Sequence, residues 1–291
     1  MSLQMTIART YLRTTRKPKA GSTDWQRMQR DSAPWPQPKI RTRHEIEELR
    51  VGEARAVWLR NPSAQGTIVY AHGGGYIFGP TAEHWEWLSH TTRATQTNAL
   101  VLDYRLAPQH PFPAGLDDAL HIVRTLQDEA ILTPGSWVLG GDSAGGGLSL
   151  AVAHALRDEG RALPAGLLLQ SPWIDLRDRD YPQAAADPWL APDGTRLTAE
   201  AYAGGTDRGD VGISPLANRH DSLPPVYLEE ASDDILVTEG RELADALRAV
   251  GNDVSYNEAP GCFHVYPLVG WLPESRVARA RQAAWIKARL S

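Results

Sequence analysis

A short run at residues 141–145, GDSAG, places a serine between glycines. It follows the apolar stretch WVLG and precedes GGLSLAVAHAL, whose apolar residues recur with helical spacing. A serine on a sharp turn between a strand and a helix presents its hydroxyl freely, and flanking glycines let the two elements pack closely. The helix N-terminus behind the serine favours developing negative charge. We therefore predict that Ser143 is a nucleophile for acyl transfer.

A second glycine-rich run, HGGGY, occupies residues 72–76 directly after the apolar run GTIVYA. Backbone amides can approach a reacting group closely only where no side chain intervenes, and glycine meets that condition. HGGG after a strand is the form that an oxyanion hole takes in lipases and esterases. We predict that the amides of Gly73, Gly74 and Ala144 hold the oxyanion. The alternative is a flexible surface turn.

A serine hydroxyl is a weak nucleophile, so a base and an orienting acid must follow it in the chain. His264, in GCFHVY, is the only histidine after His220 and precedes the last helical pattern. The run ASDDILVTEG offers two adjacent acids, Asp233 and Asp234, and only one of them can face the histidine. Either acid could instead cap the following helix, so the residues alone leave this choice open.

The elements that must position these residues alternate short strand-like runs with helical patterns from about residue 42 onward. This alternation indicates a largely parallel sheet with helices on its faces. HEIEELRV and ARAVWLR alternate polar and apolar residues and predict an antiparallel pair at the sheet edge. Further strands are predicted at GTIVYAH, NALVLDY, GSWVLGG, AGLLLQS, PPVYLEEA and NDVSYNEA, and helices at PAGLDDALHIVRTLQDE, GGGLSLAVAHALRDEG, TEGRELADALRAVG (with Thr238 as N-cap) and ESRVARARQAAWIKARL.

Two segments fall outside this alternation. Residues 1–45 contain the proline-rich APWPQP, and residues 175–213 are rich in proline, glycine and aspartate. A long excursion within an α/β domain is usually a lid or a binding element. We predict that residues 46–174 and 214–291 form the catalytic core, and that the two excursions form one small helical cap over the carboxyl edge of the sheet.

Composition limits the function further. The chain has 291 residues, 42% hydrophobic and 22% charged, which is typical of a globular protein. Its formal net charge of −5 argues against a nucleic-acid partner. Cys262, the single cysteine, excludes an internal disulfide and suits a reducing cytoplasm. The N-terminus lacks the apolar core of a signal peptide, and no apolar run could span a bilayer, so we expect no stable membrane insertion.

Together, HGGGY, DYRLAPQHPFPAGLDDA, GDSAGG, SPLAN and GCFHVY resemble the hormone-sensitive-lipase-like branch of the α/β-hydrolase esterases, from about residue 72 to residue 266. The resemblance implies an eight-stranded, mostly parallel α/β-hydrolase sheet with a helical cap. It implies carboxylester hydrolysis without a metal or an organic cofactor, and DYRLAP as a scaffold for the oxyanion loop. It also implies that Asp234 is the catalytic acid, with Ile235 in place of the family's usual proline.

These residues predict a serine carboxylesterase for small-molecule esters with short acyl chains. Trp35, Trp85, Trp87 and Trp189 lie in or near the expected cap and oxyanion segments, where they would either narrow the pocket or pack the cap onto the core. A lactone hydrolase or an N- or O-deacetylase would use the same triad. A non-catalytic ligand-binding protein is a further alternative, because fold does not imply activity. The sequence is also compatible with a homodimer through NDVSYNEA.

Overall fold

An eight-stranded sheet runs through the computed structural model, which describes residues 1–30 and 32–290. Asp31 and Ser291 belong to the predicted domain ranges but lie outside the described residues. The strands are β1 (Glu45–Val51), β2 (Ala54–Arg60), β3 (Thr67–Ala71), β4 (Asn98–Leu102), β5 (Trp137–Asp142), β6 (Leu167–Gln170), β7 (Val226–Ala231) and β8 (Val254–Ala259). Their spatial order is β1-β2-β4-β3-β5-β6-β7-β8. Strand β2 pairs antiparallel with β1 and β4, and all other pairs are parallel.

Helices cover both faces of this sheet. In the described part of the chain they are α1 (Leu3–Thr15), α2 (Trp25–Arg30), α3 (Pro38–Arg41), α4 (Ala82–Thr95), α5 (Ala114–Asp128), α6 (Ser143–Asp158), α7 (Pro192–Ala203), α8 (Val237–Ala249) and α9 (Pro273–Leu290). None of them is long and apolar enough to cross a bilayer. The predicted fold class, a mostly parallel sheet flanked by helices, is confirmed, and so are the eight predicted strands.

The continuous apolar runs of the inner strands follow from this two-sided cover. All five residues of β3 are buried. Because side chains alternate along a strand, Val69 and Ala71 face the cluster formed with α5, α6 and α8, while Ile68 and Tyr70 face the cluster formed with α4 and α9. The carboxyl ends of the parallel strands thereby lie at one edge, where the predicted site residues follow them.

Helix α4 is absent from the sequence predictions because its apolar residues do not form a clear helical stripe. Its buried face includes hydroxyl groups as well as tryptophans, with Thr91, Thr92 and Thr95 all buried. Thr92 and Thr95 donate their hydroxyls to carbonyls one turn earlier in the helix, at 2.9 and 2.8 Å. A threonine that bonds back to its own helix can be buried without an unsatisfied hydroxyl. The buried threonines therefore break the apolar pattern by which α4 could have been recognised in the sequence.

The predicted N-cap of α8 is wrong. The helix begins at Val237, and Leu236 rather than Thr238 precedes its first turn. The amide of Leu236 donates to the side chain of Asp234 at 2.9 Å, so the acid two residues earlier organises the turn. The Thr238 hydroxyl instead contacts Gln183, at 3.4 Å.

The two segments outside the strand–helix alternation contact each other. Residues 1–45 contain α1, α2 and α3, and residues 175–213 contain α7. The Lys17 ammonium donates to the carbonyls of Ala184 and Asp187. A Cβ atom at Gly194 would lie 2.0 Å from the carbonyl oxygen of Ala20, so the start of α7 is pressed against the N-terminal segment. By contrast, α3 places Ile40 in the core cluster beside α4 and the sheet.

Candidate active site

Ser143 is the first residue of α6 and directly follows β5. Its φ of 51° lies in the left-handed region, which is unfavourable for a residue with a side chain. The flanking glycines are required by contact: a Cβ at Gly141 would lie 2.3 Å from the Gly145 oxygen, and one at Gly145 would lie 2.1 Å from the Ala71 oxygen. The structure thus has the strained strand-to-helix turn that the GDSAG motif predicts.

His264 lies in the loop after β8 and contacts one of the two candidate acids. Its Nδ1 donates to Asp234 Oδ2 at 2.7 Å, and both side chains are buried. The other carboxylate oxygen of Asp234 accepts the Leu236 amide. Asp233 instead pairs with Arg9 at 2.6 Å. The structure therefore brings Asp234, and not Asp233, to the histidine.

The electrostatic surroundings make His264 a stronger base than an ordinary histidine. Burial alone lowers its pKa, but the charge of Asp234 and the hydrogen bond to it outweigh burial. The negative charges of Asp187 and Asp142 act in the same direction. The resulting pKa lies above the usual value of 6.5.

The structure corrects one of the predicted oxyanion donors. The Gly73 amide donates to Asp142 Oδ1 at 3.0 Å, so it is already engaged and points at the protein rather than at a substrate. The amides of Gly74, Gly75 and Ala144 have no hydrogen-bond partner among residues 1–30 and 32–290. Glycine is required at two of these positions. A Cβ at Gly74 would lie 1.9 Å from the Phe78 oxygen, and Gly74 and Gly75 have φ values of 120° and 62°.

Asp142, to which the sequence motifs assign no role, is a buried anchor for this loop. Its carboxylate accepts the Tyr70 hydroxyl at 2.8 Å, the Gly73 amide at 3.0 Å and a ring nitrogen of His84 at 3.1 Å. Burial on its own raises the pKa of this carboxyl, but His84 and the hydrogen bonds outweigh it and hold the pKa below its usual value. The only sequence signal for Asp142 is its place at the first x of the G-x-S-x-G motif, directly before Ser143.

His72 and the DYRLAP segment support the same loop from behind. The Tyr104 ring stacks on His72 at a centroid distance of 4.4 Å, and its hydroxyl donates to the His72 carbonyl at 2.7 Å. The Ala107 amide donates to the Tyr76 carbonyl at 2.9 Å. Burial lowers the pKa of His72 to about 4, so its ring is neutral near pH 7 and plays a structural part. The scaffold role expected of DYRLAP agrees with these contacts.

The four tryptophans singled out in the sequence do not act together. Trp85 and Trp87 belong to α4 and are buried in the core cluster, and Trp35 packs against that cluster. For Trp85 and Trp87 the alternative in which they narrow the acyl pocket is therefore wrong. Trp189 alone touches the site: its ring meets His264 edge to face, with centroids 5.8 Å apart.

Within the part of the chain that the structure describes, no three His, Cys, Asp or Glu side chains lie close enough together to hold an ion. Ser143, the Asp234–His264 pair and the free amides of Gly74 and Gly75 all follow the carboxyl ends of sheet strands.

Comparison with known proteins places this geometry in a family. Residues 68–268 match the family described as alpha/beta hydrolase fold. An acetyl-hydrolase of Streptomyces hygroscopicus is 35% identical over 247 residues, covering 82% of this chain and 81% of that protein. A putative acetyl-hydrolase of Mycobacterium tuberculosis, LipR, is 35% identical over 231 residues, or 78% of this chain and 75% of that one.

Solved structures agree. The esterase EstE5, in a crystal soaked with p-nitrophenyl butyrate, matches with a TM-score of 0.90 at 29% identity, over 100% of this chain and 99% of that chain. An esterase from the bacterial hormone-sensitive lipase family matches with a TM-score of 0.86 at 30% identity, with the same coverage. The chain belongs to the hormone-sensitive-lipase-like family of α/β-hydrolases, which is a family of carboxylic ester hydrolases.

Proposed function

We propose that this protein hydrolyses short-chain acyl esters through a triad of Ser143, His264 and Asp234. The observation that carries the proposal is the 2.7 Å hydrogen bond between His264 and Asp234. A second observation supports it: Ser143, in the GDSAG turn between β5 and α6, has the strained left-handed backbone that is typical of such a nucleophile. An orienting carboxylate fixes which ring nitrogen carries the proton, so the Nε2 lone pair of His264 is left for the serine.

The reaction has two halves. His264 takes the proton of the Ser143 hydroxyl as its oxygen attacks the ester carbonyl carbon, and then gives that proton to the departing alcohol. Water, activated by the same histidine, next attacks the acyl-enzyme and releases the acid. The amides of Gly74, Gly75 and Ala144 stabilise the negative oxygen in both tetrahedral intermediates. Loss of one such donor costs about 3 kcal/mol of transition-state stabilisation.

A cap over the oxyanion loop supports a preference for short acyl chains. We propose that residues 1–45 and 175–213 form this cap. The Tyr76 ring stacks on Tyr202 of α7 with centroids 3.7 Å apart, and a Cβ at Gly75 would lie 2.8 Å from the Thr198 methyl of the same helix. Helix α7 therefore packs directly on the oxyanion loop and leaves little room for a long chain.

The test is hydrolysis of p-nitrophenyl esters from acetate to laurate, with Ser143→Ala as the blank. We expect turnover to be highest with two to six acyl carbons and to fall to the blank in the variant. Rates that rise toward laurate would overturn the short-chain preference while leaving the triad intact. No turnover above the blank on any ester would overturn the proposed function itself.

A deacetylase is the second candidate, because two relatives of this chain carry the name acetyl-hydrolase. The same triad would release acetate from either an acetylated alcohol or an acetylated amine. Comparison of an aryl acetate with the matching aryl acetamide distinguishes the two activities. A carboxylesterase should hydrolyse the acetate far faster, whereas comparable rates would favour the deacetylase.

Cellular setting and assembly complete the proposal. Burial raises the pKa of the Cys262 thiol to about 12, so this cysteine is almost wholly protonated and unsuited to redox chemistry. A single inert thiol supports a reducing cytoplasm.

Strand β8 is an edge strand with half-buried residues, so pairing of two copies there remains a prediction, which light scattering after size exclusion tests.

A further inference from the structure

A buried carboxylate outside the expected triad lies next to it. Asp187, in the segment before α7, is 0% exposed. Its Oδ1 accepts the amides of Trp189 and Leu190 at 2.7 and 2.9 Å, and its Oδ2 accepts the amide of Ile235 at 3.0 Å. All three donors are backbone groups, and no Lys or Arg side chain bonds this carboxylate among the described residues.

The amide of Ile235 links this carboxylate to the acid of the triad. Ile235 directly follows Asp234, so Asp187 binds the peptide unit next to the residue that orients His264. The two oxygens of Asp234 are occupied by His264 and by the Leu236 amide. The turn that presents the acid is thus held by its own side chain on one side and by Asp187 on the other.

The second link is through Trp189. Its amide is held by Asp187, and its ring meets His264 edge to face at 5.8 Å. One carboxylate therefore fixes both the turn that carries the acid and an aromatic side chain that packs against the base.

The backbone around Asp187 is itself held by the N-terminal segment. Lys17, just after α1, donates to the carbonyls of Ala184 and Asp187. Arg9 of α1 donates to the Gly261 carbonyl at 2.9 Å and pairs with Asp233. These contacts connect α1 to the segment that contains Asp187 and to the loops on either side of it.

We propose that Asp187 is a positioning residue, through which the segment before α7 holds Asp234 and Trp189 in place against His264. The inference rests on the triad proposed above. It assigns Asp187 no contact with the substrate. Its effect on the reaction passes through the position of Asp234 and through its own negative charge.

The negative charge of Asp187 acts on the pKa of His264, and a purely structural residue would have no such effect. The acids that act on His264 come from three elements: Asp142 ends β5, Asp234 follows β7, and Asp187 precedes α7. Burial, followed by the charge of Asp234, raises the pKa of Asp187 to about 6, while His264 opposes this rise. Removing the negative charge of Asp187 should therefore lower the pKa of His264.

The informative variant is Asp187→Asn. An amide has a single acceptor oxygen, so its NH2 group must face either the Ile235 amide or the Trp189–Leu190 pair, donor against donor. We expect kcat on p-nitrophenyl acetate to fall about tenfold with KM within about twofold, since small misplacement of catalytic groups slows the chemical step. The acid limb of kcat/KM should move to lower pH. Asp180→Asn makes the same chemical change at an exposed position of the same segment and should alter neither quantity.

A fluorophosphonate that labels Ser143 counts active sites in each preparation, so poor folding is separated from slow chemistry. Asp187→Asn with the wild-type kcat per labelled site and the wild-type acid limb would overturn the inference, even if its melting temperature fell. Such a result leaves the proposed function standing, because the wild-type protein is active. A wild-type protein inactive on every ester would overturn both.

Discussion

The two halves of the proposed active site, a nucleophile half and an acid–base half, are built in different ways. The nucleophile half, with Ser143 and the glycine loop, sits at the ends of β5 and β3 in the middle of the sheet, and its supports come from core residues such as Asp142 and Tyr70. The acid–base half sits in loops after β7 and β8, toward one edge of the sheet. Its supports come from outside the sheet, from Asp187 and from α1.

The nucleophile half is thus fixed by packing within the sheet core, whereas the acid–base half depends on segments that are distant in the chain. The nucleophile half needs glycines wherever another side chain would collide with the backbone, so it leaves a recognisable motif. In the acid–base half, Val265 beside His264 and Gly261 in the same loop have left-handed φ values of 48° and 69°, but the acid and its supports are held by hydrogen bonds to carbonyls and amides. Such bonds place few demands on residue type, so their partners leave little trace in the sequence.

The largest effect expected within the acid–base half comes from Asp234→Asn. The asparagine keeps the shape of the side chain but favours the wrong tautomer of His264, so kcat should fall on the order of 10⁴-fold. Asp233→Asn removes only a partly exposed pair with Arg9 and should change kcat less than about twofold. Steady-state kinetics on p-nitrophenyl acetate measure both. Equal losses in the two variants would contradict the assignment of the acid.

In the nucleophile half, Asp142→Asn tests whether the buried anchor sets the geometry of the oxyanion loop. One acceptor oxygen cannot replace the two that bind Tyr70, Gly73 and His84, so the loop should shift and kcat should fall about 10- to 100-fold. Asp158→Asn, at the exposed far end of α6, is the matched control. Wild-type kcat in Asp142→Asn would show that glycine packing alone holds the loop.

The pH profile tests the charge around His264. In the proposed mechanism His264 acts as a base only when it is neutral, and its pKa is raised above 6.5, so kcat/KM should fall as the pH is lowered through a midpoint above 6.5. Below that midpoint the rate should drop about tenfold per pH unit. The measurement is kcat/KM of the wild-type enzyme between pH 5 and pH 9. A midpoint below 6.5 would mean that burial outweighs the acids.

The smallest effect concerns the outer support. Lys17→Met removes the ammonium that binds two carbonyls near Asp187, and we expect kcat to fall about two- to fivefold. Loss of these charge-assisted hydrogen bonds should lower the melting temperature by about 2–4 °C. Lys19→Met, at an exposed position two residues later, should leave both quantities unchanged. Identical results for the two lysines would contradict the support of the triad by this segment.

Sequence reasoning succeeded where local backbone constraints dictate residue type. Alternating polar and apolar residues predicted β1 and β2, short apolar runs predicted the other strands, and GDSAG predicted the turn at Ser143, because few sequences satisfy those conditions. The choice between Asp233 and Asp234 needed a family resemblance, since neighbouring acids differ only in which way the turn faces. Helix α4 escaped prediction because its threonines satisfy their own hydroxyls inside the core.

The errors at Gly73 and the omission of Asp187 have a common physical origin. Whether an amide is free depends on a side chain far away in the chain: Asp142 is 69 residues from Gly73, and Asp187 is 48 residues from Ile235. No periodicity or spacing encodes such a pairing. Only the fold, which brings the ends of neighbouring strands and the intervening segments together, reveals which donors remain for a substrate.

The left-handed backbone of Ser143 affects what selection for thermostability would do to this protein. A non-glycine residue in that conformation is strained by about 1–2 kcal/mol, and glycine would be relieved of that strain. A Ser143→Gly protein should therefore be no less thermostable than the parent while having lost its nucleophile. Laboratory evolution that selects for thermostability alone would therefore favour stable variants without activity. Each round of selection on this protein should include a screen for turnover.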